Sequence, residues 1–149
     1  MGLFADRTRL ERILQRTLRI RAGALDDIVA HARESAPTEC CGLLVGSAVE
    51  IVESVRAANV ADDPARRFVI DPRDHIDSRR KARQRGLAVV GFYHSHPASP
   101  AEPSATDLAE AGYTDHLYMI VSLAADAPAI LLFRLEGGNF RAVPFVTVG

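Results

Sequence analysis

The chain has 149 residues, 48% of them hydrophobic, with 18 basic against 19 acidic side chains and a formal net charge of −1. That length fits one domain with a real core, and so balanced a charge points to neither nucleic acid nor an anionic membrane surface. No apolar run reaches the ~20 residues of a membrane span.

The N-terminus lacks the apolar stretch and small-residue cleavage site of a signal peptide. The only cysteines, Cys40 and Cys41, are adjacent. Neighbours on a strand face opposite ways, so the pair makes neither a disulfide framework nor a chelate. They read as reduced thiols, which suits a cytoplasmic protein.

Taken in order, residues 1–17 form an extension. Leu10, Ile13, Leu14 and Leu18 recur at helical spacing among arginines and glutamates, so a short amphipathic helix is expected, docking on the domain or on a partner in a homodimer. The domain proper is 18–149. Leu18–Ile20 opens it as a strand, and Gly23–Ser35 is a helix with Leu25, Ile28, Val29 and Ala32 on one face. His31 on that helix is expected to be surface or structural.

Pro37 ends the segment, and Glu39 stands before an apolar strand, Cys40–Val45. Val49–Val60 follows it across Gly46-Ser47, with Glu50, Glu53 and Arg56 expected outside. After a turn at Ala61–Pro64, Arg67–Asp71 reads as a short strand. Asp71 caps and Pro72 opens a helix that stops at Gly86. It carries Arg73, Arg79, Arg80, Lys81, Arg83 and Arg85. Such a run is a solvated face or, more sharply, a docking patch for an acidic partner. His75 at its start is not expected to be a ligand.

Leu87–Phe92 is an apolar, valine-containing run that leads into His94-Ser95-His96. Residues two apart on a strand share a face, so both imidazoles project to one side. Pro97 ends the strand, and three prolines between 97 and 103 stiffen the loop. The loop delivers Ser104-Ala-Thr-Asp107. Two histidines and a carboxylate suit a catalytic zinc, which keeps a fourth position for water. Ser104-x-x-Asp107 is equally the pattern of a helix capping box. Beyond it come strands over His116–Leu123 and Ala129–Leu135, then a turn at Gly137–Asn139 into Phe140–Val148 as a hairpin. His116 is expected to play a structural or supporting part. Strands and helices in this mixed order imply an α+β layered domain around a mixed sheet.

The joint pattern His94-x-His96-Pro97-x6-Ser104-x-x-Asp107, with Glu39 in Thr38-Glu39-Cys40-Cys41-Gly42, resembles the JAMM/MPN+ metalloprotease family over residues 18–149. The resemblance implies the MPN fold, a curved sheet flanked by helices and related to cytidine deaminases. It implies that His94, His96 and Asp107 bind one zinc ion. Glu39 would be the general acid/base, and Ser104 would support the oxyanion. A His-Glu-x-x-His motif and the Pro-Cys-x-x-Cys ligands of zinc deaminases are both absent.

The chain is short and resembles the stand-alone bacterial members. They imply hydrolysis of an amide after the Gly-Gly tail of a ubiquitin-like protein. The favoured case is release of cysteine from a sulfur-carrier protein, a step in cysteine biosynthesis. The alternatives are an isopeptidase acting on protein-lysine conjugates, and a non-catalytic MPN scaffold. Scaffold relatives generally lack parts of the motif.

Overall fold

The computed structural model describes residue 9 and residues 17–149. The amphipathic helix expected within 1–17 therefore lies almost wholly outside the described residues. The elements are β1 (Leu18–Arg21), α1 (Ala22–Ser35), β2 (Cys41–Gly46), β3 (Glu50–Ala57), α2 (Pro72–Gln84), β4 (Ala88–His96), α3 (Ala105–Glu110), β5 (Leu117–Ser122), β6 (Ala129–Glu136), β7 (Asn139–Ala142) and β8 (Phe145–Val148). The fold is α+β, as expected.

The described strands form one sheet in the order β7-β6-β5-β4-β2-β3-β1-β8. It is mixed: β4 runs parallel to β5, and β1 parallel to both β3 and β8, while the remaining pairs are antiparallel. β7 and β8 are sequence neighbours, yet they occupy opposite edges. Ala142 to Phe145 is three Cα steps, a reach of at most ~11 Å. Laid flat, the two edges of eight strands would stand ~33 Å apart. The sheet therefore curls until its edges approach. The single strand expected over 140–148 is thus two, broken at Pro144, which has no N–H to continue a ladder.

Two further expectations are corrected. β3 ends at Ala57 rather than running to Val60, and residues 67–71 form no strand. Only an isolated bridge joins Asn59 to Ile70. The reason is Asn59, whose side chain takes the place of a ladder. Its Nδ2 donates to Arg67 O (3.1 Å), and its Oδ1 accepts from Val69 N (3.0 Å) and Ala61 N (3.1 Å).

Helices cover both faces of the sheet. On one, Ala24, Ile28 and Ala32 of α1 join Leu44, Ile51, Tyr93, Met119 and Val121 in a buried cluster. A side chain as fully buried as Ile28 is worth roughly 1.5–3 kcal/mol relative to exposure. On the other, Ala82 of α2 packs with Cys41, Leu43, Val45, Val89 and Phe92. Cys40 belongs to the first cluster and Cys41 to the second, as strand alternation requires. Both thiols are free and buried. Burial pushes the Cys41 thiol up to about 12.

Tyr93 lies across Gly42, where an added Cβ would fall 2.2 Å from its ring and 2.4 Å from Val55 O. Its hydroxyl meets His31 Nδ1 at 2.7 Å, so His31 is a structural residue tying α1 to β4. α2 starts as expected, with Asp71 accepting from Arg73 N at 2.8 Å, and Gly86 follows it at φ +71°. Arg80 and Lys81 pair with Asp77, and Arg85 with Glu53 at 2.5 Å. Three of the six basic residues thus have acidic partners within the chain, two of them sharing Asp77, which favours the solvated-face reading. No helix among the described residues is long and apolar enough to cross a membrane.

Candidate metal centre

β4 supplies two of the donors. It lies between β2 and β5, with His94 opposite Cys41 on one side and Ile120 on the other, so the backbone that carries the imidazoles is held on both edges. Alternation puts Phe92, His94 and His96 on the α2 face, and Tyr93 and Ser95 on the other. Both imidazoles are buried, at 4% and 5% exposure. Phe68 stacks on the His94 ring at 4.3 Å and 20°. His96 Nδ1 donates to the Pro100 carbonyl at 2.8 Å, so the neutral ring presents its lone pair at Nε2.

Asp107 closes the set. Its Oδ1 is 3.2 Å from His94 Nε2 and its Oδ2 is 3.1 Å from His96 Nε2, while the two Nε2 atoms are 3.0 Å apart. The capping box is present as well. Ser104 N donates to Asp107 Oδ2 at 2.9 Å, and Asp107 N donates to Ser104 Oγ at 3.0 Å. The two readings of Ser104-x-x-Asp107 are thus compatible, because the cap aims the carboxylate at the imidazoles.

Three electron-pair donors this close repel one another unless a cation or proton lies among them. Bonds of ~2.0–2.1 Å to a tetrahedral zinc ion put its ligands ~3.3 Å apart, close to the separations observed. The donor set and its spacing fit the ion. Burial would raise the Asp107 carboxyl, but the hydrogen bonds from His94 and His96 outweigh it and hold the group far below the usual carboxylate range. Burial lowers His94. Burial also opposes protonation of His96, but Asp107 and the Pro100 carbonyl overcome it and raise that ring above its ordinary value.

Glu39 stands two residues before β2. Its carboxylate could join the same cation, since one oxygen lies within 4.8 Å of both imidazole nitrogens. Asp107 approaches the two rings to 3.2 and 3.1 Å, which favours Asp107 as the third donor. Glu39 is 7% exposed, and its Oε1 is buried with no hydrogen-bond partner among the described residues. Burial is the main cause that pushes this carboxyl up to about 7. The five residues singled out in the sequence, Glu39, His94, His96, Ser104 and Asp107, are therefore brought together.

With that geometry in hand, similarity to known proteins becomes informative. Residues 21–136 match the family model of prokaryotic homologs of the JAB domain. The chain belongs to this family. It is 38% identical over 111 residues to a desampylase of Haloferax volcanii, covering 70% of this chain and 80% of the relative. It is 33% identical over 105 residues to a CysO-cysteine peptidase of Mycobacterium tuberculosis, covering 69% and 71%. Among solved structures, protein DSY2949 of Desulfitobacterium hafniense superposes with a TM-score of 0.80 at 28% identity, covering 89% of this chain and 93% of that one. The JAB1/MPN domain protein AF2198 of Archaeoglobus fulgidus shares the fold at 22% identity, with a TM-score of 0.61, covering 89% and 100%. The curled sheet is the JAB1/MPN fold.

A cavity of about 310 Å³ opens beside His94 and Asp107 of the JAB domain, walled by Phe68, Phe92, Tyr113, Tyr118, Phe133 and Phe140. Sequence reasoning missed this wall, because its aromatic residues come from segments far apart in the chain. It also missed Phe68 as a support of His94, having read it only as a strand residue. His75 and His116 lie away from the donor cluster. Arg79 Nε donates to His75 Nε2 at 2.8 Å and its Nη2 lies 3.1 Å from His116 Nε2, while His116 stacks on Phe92 at 5.5 Å. Among the described residues, neither joins the donor group formed by Glu39, His94 and His96.

Proposed function

We propose that this JAB-domain chain is a zinc-dependent peptidase that hydrolyses the amide following the C-terminal Gly-Gly of a ubiquitin-like protein. The favoured reaction is release of cysteine from a sulfur carrier. One observation carries the reading: three donor atoms 3.0–3.2 Å apart stand beside Glu39, whose buried Oε1 has no hydrogen-bond partner among the described residues. A scaffold has no need of an unpartnered buried carboxylate, whereas an acid/base catalyst does. The names of the two relatives support conjugates of small carrier proteins as the substrate class.

His94, His96 and Asp107 would hold the zinc ion. When bound, zinc supplies Lewis acidity and makes water easier to deprotonate. Glu39 takes the proton of the attacking water and passes it to the departing amine, a task suited to a carboxyl raised to about 7. Ser104 Oγ accepts from Asp107 N, which leaves its hydroxyl hydrogen to donate to the oxyanion. The aromatic cavity excludes water on one side of the reacting carbonyl and receives apolar parts of the conjugate.

The test is to incubate the protein, zinc-loaded and then treated with chelator, with a ubiquitin-like carrier bearing a C-terminal Gly-Gly-cysteine adduct. The carrier is weighed by mass spectrometry. Loss of one cysteine residue with zinc alone supports the proposal, and an unchanged mass rejects it. A carrier joined to a lysine side chain, tested in parallel, addresses the isopeptidase reading.

A further inference from the structure

The peptide unit between Glu39 and Cys40 is held at both ends by side chains. Its carbonyl, Glu39 O, accepts from Asn59 Nδ2 at 3.0 Å, and its amide, Cys40 N, donates to Ser95 Oγ at 2.8 Å. Ser95 N in turn donates to Cys40 O at 3.0 Å. This is the rung that follows Cys41↔His94 in the β2–β4 register, one residue beyond the end of β2. At that rung a serine hydroxyl accepts the amide where a strand would offer its carbonyl. A third tether lies upstream, where Glu39 N donates to Pro64 O at 2.7 Å.

We infer that Ser95 and Asn59 are positioning residues that fix the backbone of Glu39, and through it the direction of its carboxylate. The inference rests on the acid/base role proposed for Glu39. Its physical basis is that Glu39 lies outside any strand and its buried Oε1 has no hydrogen-bond partner among the described residues. The fixed main chain then sets the point from which the carboxylate reaches the site. Ser95 stands between His94 and His96 but points to the opposite face, so it gears the peptide behind Glu39 to the strand that carries both imidazoles. Asn59 adds a second link. The side chain that holds Glu39 O also holds Arg67 O and Val69 N, which flank Phe68, the ring stacked on His94. The catalytic carboxylate, one imidazole and one wall of the cavity thus share a single half-buried amide.

The test uses the zinc-loaded chain and the aminomethylcoumarin amide of a ubiquitin-like carrier ending in Gly-Gly. Ser95→Ala and Asn59→Ala are expected to lower kcat by about tenfold to a hundredfold, the cost of a misplaced catalytic group, with KM and zinc content little changed. Ser95→Thr, which keeps the hydroxyl, is expected to restore most of the rate. In a Glu39→Gln background neither alanine change should cost anything more, because both act through Glu39. Independently of activity, amide exchange measured by NMR on the zinc-free protein should show Cys40 N losing protection in Ser95→Ala, while amides within β2 keep theirs. Losses that multiply with that of Glu39→Gln, or an equally protected Cys40 amide in Ser95→Ala, overturn this inference alone. Undiminished turnover in Glu39→Gln itself removes the proposed function, and this inference with it.

Discussion

Asp107 and Ser104 bond to each other reciprocally at 2.9 and 3.0 Å, and the same Asp107 carboxylate faces His94 and His96. One side chain therefore serves a helix cap and, in the proposed function, a ligand set, and substitution can separate the two roles. Asn at position 107 keeps an oxygen for the Ser104 amide but loses the charge that zinc needs. Asp107→Asn is expected to weaken zinc binding by at least ~100-fold while the zinc-free protein melts within a few degrees of wild type. Asp107→Ala should in addition lose about 0.5–2 kcal/mol through the cap. Zinc titration and thermal melts in chelator measure the two effects. Tight zinc binding by the Asn variant would remove Asp107 from the ligand set.

The proposed ligand set was legible in the sequence because it is compact. His94 and His96 are two apart on one strand, so alternation alone puts both on one face, while Asp107, whose local pattern is equally a helix cap, joined them only through the joint motif and the family resemblance it carries. Much of the environment was not legible, because it is assembled across the sheet. Phe68 reaches His94 from a segment with no strand of its own, shaped by hydrogen bonds of Asn59 that no periodicity reveals. The curl of the sheet was hidden for the same reason. Phe140–Val148 has the composition of one strand, and only the long-range pairing of its halves with β6 and β1 shows that the chain crosses between two edges.

In the proposed function, zinc and protons compete for the imidazoles. His96 is raised above its ordinary 6.5 by Asp107 and the Pro100 carbonyl, against the pull of burial. Competition therefore begins at a higher pH than for an ordinary histidine. Apparent zinc affinity is expected to be flat at alkaline pH and to fall about tenfold per pH unit once His96 is protonated. Replacing Asp107 by Asn should move the onset to lower pH, because the chief contact that raises His96 is gone. Competitive chelator titrations across pH 5–8 check both statements, and a pH-independent affinity refutes them.

The charge on α2 offers a separate test. Arg80 and Lys81 share Asp77 on the exposed surface, and such pairs contribute at most about 1 kcal/mol. Alanine at both positions is expected to leave stability within about 0.5 kcal/mol and the KM for a carrier substrate within about twofold. A KM that rises strongly, and more at low than at high salt, would restore the docking-patch reading of this helix.

Glu39 gives a prediction about stability rather than rate. Burial raises its carboxyl from 4.5 to about 7 in the folded protein. Below pH 4.5 both folded and unfolded chains are protonated there, and folding incurs no penalty. Between 4.5 and 7 the unfolded chain releases a proton that the folded chain retains, so stability falls as pH rises, and above 7 the loss is complete. Glu39→Gln removes the titrating group. In zinc-free protein it should raise stability by about 1–2 kcal/mol at pH 8, after allowance for residual solvent screening, and by nothing at pH 4. Urea unfolding in chelator at the two pH values decides it, and equal midpoints at pH 8 would mean that the carboxylate is solvated.

Gly42 is the position where the core itself limits the site. A Cβ there would lie 2.2 Å from the Tyr93 ring and 2.4 Å from the Val55 carbonyl. Tyr93 precedes His94 on β4 and is buried at 1% exposure, so it has little room to retreat. Gly42→Ala is expected to destabilise the fold by about 1–3 kcal/mol or more, as overpacking does. It should also weaken zinc binding, because relief of the clash shifts the strand that carries both imidazoles. Combining it with Tyr93→Leu removes the ring but not the clash with Val55 O, so recovery in urea unfolding should be partial. Full stability in the single variant would show that β2 and β4 can slide past each other without cost, and that the metal ligands are held by something other than this packing.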